Sequence, residues 1–184
     1  MKELSLHLLD VAKNSVAAGA TWVDISLDED KDGRLTIVIS DNGRGMSPEF
    51  LAQVTDPFTT TRTTRKVGLG LPLYRMAAEQ TGGSLDIQST LGKGTTVTAV
   101  FHRRHLDCPP LGDLAGTVAL LIQGSPELDL HYRHTTPRGT AELSTGALRG
   151  ILGPDISLAE PELILWIRDY LQEQEALLQE QKGM

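Results

Sequence analysis

The sequence has little cysteine and no long apolar run, and each shortage excludes a class of protein. Cys108 is the single cysteine among 184 residues, so no internal disulfide can form, which favours a reducing compartment. No uninterrupted apolar run approaches the ~20 residues of a membrane span, and Met1 to Leu4 do not open the apolar core of a signal peptide. We therefore expect a cytoplasmic protein without membrane contact.

Positive charge is also scarce. Lys and Arg number 17 against 24 Asp and Glu, so the formal net charge is -7 at pH 7. Repulsion between like charges disfavours non-specific binding to nucleic acid, although a local basic cluster can still bind phosphate. The chain is long enough for one full domain with a smaller appendage. Nucleic acid is therefore not an expected partner.

Apolar periodicity in the first hundred residues predicts alternating helices and strand pairs. Val23, Ile25 and Leu27 alternate with polar residues, and Asp32-Gly33 predicts a turn into a second alternating strand. The predicted helices cover residues 3–18, 47–54 and 71–81, and the predicted strands cover residues 23–27, 35–39, 85–87 and 96–101. Antiparallel pairs with helices gathered on one face predict an α+β fold, a two-layer α/β sandwich.

The remaining residues predict a smaller α+β unit. Pro109-Pro110 indicates a boundary, so we divide the chain into domains at 1–104 and 105–184. The predicted elements are strands at 116–123 and 128–134, a helix at 141–152 and a long helix that begins near Ser157 or Pro161. The apolar stripe of the last helix is expected to dock on its own unit, and the alternative is a homodimer or partner helix.

Asp10 and Asn14 lie four residues apart on the first predicted helix, so both side chains project from one face. An amide oxygen can bind a divalent cation, and a carboxylate can orient or deprotonate a water molecule. The alternative is a solvated helix face without chemistry.

The segment Asp41–Met46, Asp-Asn-Gly-Arg-Gly-Met, directly follows a predicted strand. Gly43 and Gly45 allow the backbone to turn sharply and a flat ligand to approach without a Cβ in the way. Asp41 at the strand end can accept a hydrogen bond from an exocyclic amine such as that of adenine. The alternative is ordinary turn chemistry.

A long loop without apolar period covers residues 56–70 and is rich in threonine, arginine and glycine. Hydroxyl groups, cations and free backbone N–H groups at a helix N-terminus together suit a triphosphate. The alternative is a solvated basic loop. The later segment Gly92–Thr96 is typical of a hairpin turn when taken alone.

The order of these motifs resembles one family. Residues 5–101 are similar to the ATP-binding domain shared by gyrase, the heat-shock chaperone ATPase, sensor histidine kinases and the mismatch-repair ATPase, the GHKL superfamily. The segments that carry the resemblance are Leu9–Ala20, Asp41–Met46, Asp56–Thr61, Val67–Leu73, Gly82–Leu85 and Gly92–Thr96. The resemblance implies a GHKL-type two-layer sandwich that binds ATP and Mg²⁺.

The resemblance also implies roles for residues of the pocket itself. Asn14 would hold a magnesium ion that bridges the phosphates, Asp41 would bind the adenine amine, and Gly43 and Gly45 would shape the pocket floor. Asp10 would be the catalytic residue. The further implied nucleotide contacts in these motifs are Met46, Leu71 and Thr95.

A second group of implied roles belongs to a lid over the phosphates. Gly68 and Gly70 would present backbone N–H groups to the phosphates. Arg62, Arg65 and Lys66 would be lid cations within reach of the terminal phosphate. Phe58, Thr60 and Leu69 complete the implied nucleotide contacts.

Two departures from the family pattern direct the functional expectation. Hydrolysing members carry a glutamate where this chain has Asp10. A sensor kinase carries a dimerisation segment with its phosphoacceptor histidine before the motif that contains Asn14, and in this sequence only a few residues precede that motif. We therefore expect a signal-transduction kinase that transfers the γ-phosphoryl group of Mg-ATP to a separate protein, similar to stand-alone anti-sigma serine kinases or to a histidine-kinase catalytic module detached from its sensor. The alternatives are a slow ATPase, an ATP-driven conformational switch and a nucleotide sensor.

Overall fold

The structure, a computed structural model, describes residues 2–54 and 70–179, and this part of the chain forms six helices and six strands. The helices are α1 (Leu4–Ala17), α2 (Pro48–Val54), α3 (Gly70–Gln80), α4 (Leu114–Gly124), α5 (Thr145–Leu152) and α6 (Pro161–Gln179). The strands are β1 (Trp22–Glu29), β2 (Arg34–Asp41), β3 (Ser84–Thr90), β4 (Gly94–His102), β5 (Asp129–Thr136) and β6 (Gly139–Ser144).

All six strands belong to one sheet with the order β3-β4-β2-β1-β5-β6. Neighbouring strands are antiparallel except for β1 and β5, which pair in parallel. Ile39, Ile25 and Tyr132 stand in one cross-strand row, and all three are buried beneath the helices. The two-layer sandwich is therefore confirmed, and the C-terminal residues extend the same sheet.

The elements of residues 4–54 and 70–102 match the predicted ones. The apolar positions of α1, including Leu4, Leu8 and Val11, are buried as the 3.6-residue period requires. Ser47 caps α2, because its Oγ accepts a hydrogen bond from the Phe50 amide at 3.2 Å.

The predicted strand at 116–123 is wrong, because these residues lie within α4. Asp113 begins the helix as its N-cap, and its Oδ1 accepts a hydrogen bond from the Gly116 amide at 2.8 Å. The helix α4 packs against both α1 and α6, so residues on several of its sides are buried and apolar. A short run that is mostly apolar shows no clear hydrophobic period, so its sequence does not distinguish a strand from a buried helix.

The predicted helix at 141–152 is wrong in its first part. Residues 139–144 form β6, in which Ala141 and Leu143 face the core, and Ser144 then caps α5 by accepting from the Ala147 amide at 3.3 Å. Pairing with β5 overrides the helical preference of Ala, Glu and Leu.

The long last helix begins at Pro161 and packs on α4 and β6, burying Ile167 and Leu171. Docking within the chain is therefore observed, and a homodimer stays a prediction. Among residues 2–54 and 70–179, none of the helices combines the length and apolar character that crossing a membrane requires.

The predicted domain boundary at 104/105 falls between β4 and α4. The amides of Leu4 and Ser5 donate to the carbonyls of Pro110 and Leu111, each at 2.9 Å, so the chain after the boundary contacts the start of α1. The division into domains at 1–104 and 105–184 stays a prediction.

Candidate functional site

A cavity of about 390 Å³ opens beside α1, at the end of β2 and the start of β4. This volume lies within the roughly 300–1,000 Å³ usual for small-molecule sites. The polar side chains that line it include Asn14, Ser15, Asp41, Arg44 and Thr95. The apolar ones include Val11, Met46, Phe50, Leu71 and Val97.

Asp41, the last residue of β2, is held by three hydrogen bonds. Its Oδ1 accepts from the Gly43 amide at 2.8 Å and from the Thr95 amide at 3.3 Å, and its Oδ2 accepts from Ser15 Oγ at 2.6 Å. A carboxylate has about four acceptor positions, so the half-buried group keeps capacity for another donor. An exocyclic amine in the cavity fits that capacity.

The two glycines after Asp41 permit close backbone approaches. Gly45 has φ +72°, and a Cβ at this position would lie 2.1 Å from the carbonyl oxygen of Thr90. A Cβ at Gly43 would lie 2.9 Å from the Cβ of Ala18. Side chains at either position would push the segment away from its neighbours, so the floor of the cavity depends on both glycines.

A serine fixes the apolar part of the cavity wall. Ser89 Oγ accepts from the Met46 amide at 2.8 Å and lies 2.8 Å from Thr95 Oγ1. Met46, Phe50 and Leu71 supply apolar surface next to the Asp41 carboxylate. A flat heteroaromatic ring with one amine matches this combination of apolar walls and a single fixed acceptor.

Asp10, Asn14 and Gly70 meet where α3 begins. A Cβ at Gly70 would lie 3.7 Å from Asp10 Cβ and 3.9 Å from Asn14 Nδ2. The N-terminal end of α3, whose first N–H groups have no partner within the helix, therefore lies beside the Asp10 and Asn14 face of α1. The Asp10 carboxylate forms an ion pair with the ammonium group of Lys2.

The described residues include no cluster of three or more His, Cys, Asp or Glu side chains that could hold a metal ion. A cation here would depend on the amide oxygen of Asn14, which lines the cavity, and on oxygens of a bound ligand. Such a hard donor set fits Mg²⁺, which usually binds phosphates through few protein ligands.

The structure brings together most of the predicted site residues that it describes. Asn14, Asp41, Gly45, Met46, Leu71 and Thr95 line the cavity. The other three lie beside residues that line it: Gly43 is close to Asp41, and Gly70 is close to Asn14 and to Asp10. Phe58, Thr60, Arg62, Arg65, Lys66, Gly68 and Leu69 lie outside the described residues, so their roles stay predictions.

Several residues at or next to the cavity were not predicted as site residues. Ser15 and Ser89 orient Asp41 and Met46, Phe50 lines the cavity, and Arg44 Nη2 donates to the Ala17 carbonyl at 2.8 Å. Ser15 follows Asn14 directly, which is a usable signal. No local sequence signal identifies Ser89, because its contacts with Met46 and Thr95 depend on the pairing of β3 with β4.

A buried aromatic pair supports α1 next to this site. His7 is buried and stacks on Tyr74 of α3 with ring centroids 5.1 Å apart. Burial, followed by the nearby Lys2 charge, lowers the pKa of His7 to about 4. The ring is therefore neutral near pH 7 and packs in the core.

Comparison with known proteins gives partial matches. The sensor protein SrrB of Staphylococcus aureus, in strains NCTC 8325, COL and MSSA476, is 38% identical over 101 residues. These residues are 52% of this chain and 17% of SrrB, so the match spans about one sixth of that protein. A solved structure, the N-terminal domain of a DNA repair protein, aligns with 78% of this chain and 52% of its own, at 16% identity and TM-score 0.49.

A family model for histidine kinase-, DNA gyrase B- and HSP90-like ATPases matches residues 2–105. The match covers α1 to β4 and therefore every part of the cavity that the structure describes. This chain belongs to the family of histidine kinase-, DNA gyrase B- and HSP90-like ATPases and carries its kinase-like ATP-binding domain.

Proposed function

We propose that the chain binds Mg-ATP in this cavity and transfers the γ-phosphoryl group to a separate partner protein in signal transduction. The observation that carries the proposal is the Asp41 carboxylate, held by Ser15 and Gly43 in a cavity that also presents the apolar side chains of Met46, Phe50 and Leu71. One fixed acceptor among apolar walls recognises adenine through its amine and its ring faces.

The phosphates are proposed to extend from this floor toward Asn14 and Gly70. The N-terminal end of α3 favours negative charge there, because its N–H groups have no partner within the helix. Asn14 would hold Mg²⁺, which neutralises phosphate charge when bound. The predicted lid cations Arg62, Arg65 and Lys66 would add positive charge near the terminal phosphate.

Histidines of this chain are poorly placed to accept the phosphoryl group. His7 and His134 are buried, and His131 lies between the carboxylates of Asp24 and Glu142. His102 pairs with the first residue of β2, at the end of the sheet away from the cavity, and His105 follows it. An acceptor on another protein is therefore the simpler arrangement.

Asp10 supports a second candidate, a slow ATPase or an ATP-driven conformational switch. Its Cβ approaches Gly70 beside the expected phosphates, where a carboxylate can orient a water molecule. The ion pair with Lys2 must open before this carboxylate can take a proton from a water molecule.

Purified protein with γ-labelled ATP and Mg²⁺, alone and with cell extract, tests the proposal. Label on another protein supports phosphoryl transfer, whereas label released as phosphate without a labelled protein supports the ATPase. The D41N variant should lose the labelling, and D28N, which removes an exposed carboxylate of β1, should keep it. Label on this chain alone would contradict the separate acceptor.

A further inference from the structure

A second cavity, of about 460 Å³, lies at the opposite end of the sheet from Asp41. It is formed by the β1–β2 turn, the residues after β4, the β5–β6 turn and the end of α6. The seven residue steps from Arg34 to Asp41 along β2 separate the two ends by roughly 23 Å. A ligand in this cavity would not contact the nucleotide site.

His134 of β5 is the buried polar group of this cavity. Its side chain is 1% exposed, Nδ1 lies 2.7 Å from Glu175 Oε2, and Nε2 is buried without a hydrogen-bond partner among the described residues. Because the carboxylate accepts at Nδ1, the ring orientation is set and Nε2 is the nitrogen left for a ligand. Folded proteins retain few such unsatisfied atoms. Of the three among the described residues, His7 Nδ1, Tyr74 Oη and His134 Nε2, only the last belongs to a residue that lines this cavity.

Tyr132 completes the support behind the imidazole. Its hydroxyl donates to Glu175 Oε1 at 2.5 Å, and burial together with the Glu175 charge raises the pKa of Tyr132 well above its usual range. Tyr132 therefore remains a donor, and both oxygens of Glu175 are occupied. With Nδ1 donating to Glu175, Nε2 can donate to an anion when it too carries a proton.

Cationic side chains outnumber carboxylates around the cavity. Lys31, Arg103, Arg104 and Arg138 line it together with Glu29 and Asp30. Arg103 is paired with Glu29 at 3.2 Å. Within residues 2–54 and 70–179, neither Lys31 nor Arg138 has a salt-bridge partner. Arg104 donates to the Lys31 carbonyl at 2.8 Å and likewise has no salt-bridge partner among the described residues. Unpaired cations beside a buried imidazole favour an oxygen-rich anion.

We propose that this cavity binds a small phosphate-bearing molecule. Arg138 and Lys31 would contact the outer phosphate oxygens, and His134 Nε2 would donate to the innermost one. Guanidinium groups match the spacing of phosphate oxygens, and a phosphate can accept from all three groups at once. The acidic surface of the chain disfavours a nucleic-acid phosphate as the ligand.

A titration of the full, isotopically labelled chain with inorganic pyrophosphate in magnesium-free buffer tests the proposal. The ring nitrogens of His134 report locally by NMR, so binding at the nucleotide site cannot be mistaken for binding here. We expect a saturable shift of the Nε2 resonance. The R138Q variant should weaken binding at least about tenfold, as the loss of a charge-assisted hydrogen bond requires.

The matched control is R133Q, which removes an exposed arginine of the same strand that does not line the cavity. This variant should change the affinity for pyrophosphate less than about twofold, as for a surface charge screened by salt.

The H134N variant keeps a donor near the Nδ1 position and removes Nε2. It should weaken pyrophosphate binding as much as R138Q does. Because the imidazole is absent in this variant, the shift of the Gly33 amide resonance measures the binding.

Three results would overturn the proposal. The first is no saturable shift at His134 with millimolar pyrophosphate in the folded protein. The second is an equal loss of affinity in R133Q and R138Q, which would indicate non-specific attraction. The third is tighter binding of succinate than of pyrophosphate, which would exclude phosphate as the preferred group. If H134N does not fold, the two arginine variants decide.

Discussion

Ser15 Oγ donates a hydrogen bond to Asp41 Oδ2 at 2.6 Å and thereby joins the last turn of α1 to the end of β2. The two residues are 26 positions apart in the sequence. One residue earlier, Asn14 lines the same cavity, so α1 supplies both the support for the carboxylate and the proposed cation ligand.

Replacing Asp41 with asparagine should weaken ATP binding by about tenfold to a hundredfold, because a charge-assisted hydrogen bond of about 1.5–3 kcal/mol is lost. Calorimetric titration with ATP and GTP measures the effect, and D28N is the control of equal charge change. Equal losses for ATP and GTP would mean that Asp41 does not read the base.

Replacing Ser15 with alanine should weaken ATP binding less, by about threefold to tenfold, because the carboxylate remains but loses one orienting hydrogen bond of about 1 kcal/mol. The same titration measures it. The double variant S15A/D41N should be no weaker than D41N alone, since the serine acts through the carboxylate. Additive losses would show that Ser15 contacts the nucleotide directly.

Replacing Asp10 with asparagine should lower turnover by about 10²–10⁴-fold, the usual contribution of a general base. Nucleotide affinity should stay within about threefold, because Asp10 does not line the cavity. Labelled-ATP turnover and calorimetry measure the two quantities separately. Loss of ATP binding with unchanged turnover per bound nucleotide would refute the catalytic role.

Gly45→Ala should reduce the free energy of unfolding by about 2–5 kcal/mol, because φ is +72° and the new Cβ would meet the Thr90 carbonyl oxygen. Gly92→Ala is the matched control: its φ is +82°, but the space around it is open. This control should lose only about 1–2 kcal/mol. Urea denaturation compares them, and equal losses would contradict a steric role for Gly45.

His7→Phe should flatten the dependence of stability on acid pH. The folded pKa of His7 is about 4 and its ordinary value is 6.5, so the unfolded chain binds the proton first. The stability due to neutral His7 is complete above about pH 6.5 and is lost as the pH falls toward 4, by about 3 kcal/mol.

Urea denaturation from pH 7 to pH 4 measures this difference between wild type and H7F. The stacking on Tyr74 should persist, because phenylalanine retains the aromatic ring. The control H105Q removes an exposed imidazole and should keep the wild-type slope. A slope in H7F equal to that of wild type would place the acid sensitivity elsewhere.

The first half of the fold and much of the site were predictable because their signals are local. The alternation of Val23, Ile25 and Leu27, with the turn at Asp32-Gly33, needs only a few neighbouring residues to define a hairpin. Asp41, Gly43 and Gly45 follow that hairpin directly, so chain order alone placed them at a strand end.

The errors lie where distant residues decide. Residues 116–123 form a helix because α1 and α6 cover both sides of an apolar run, and residues 139–144 form a strand because β5 pairs with them. The support of Asp41 by Ser15, and the enclosure of His134 by Glu175, also join residues far apart in the chain.

Amino-acid order thus specified the periodic elements, the turns and the ligand-facing motifs, since dihedral preference and side-chain spacing act over one or two turns of chain. Packing of the folded chain settled which apolar runs became helices, which strand joined β1 and which polar atoms were paired or left alone. Those outcomes depend on burial and on hydrogen bonds between segments that meet only after folding.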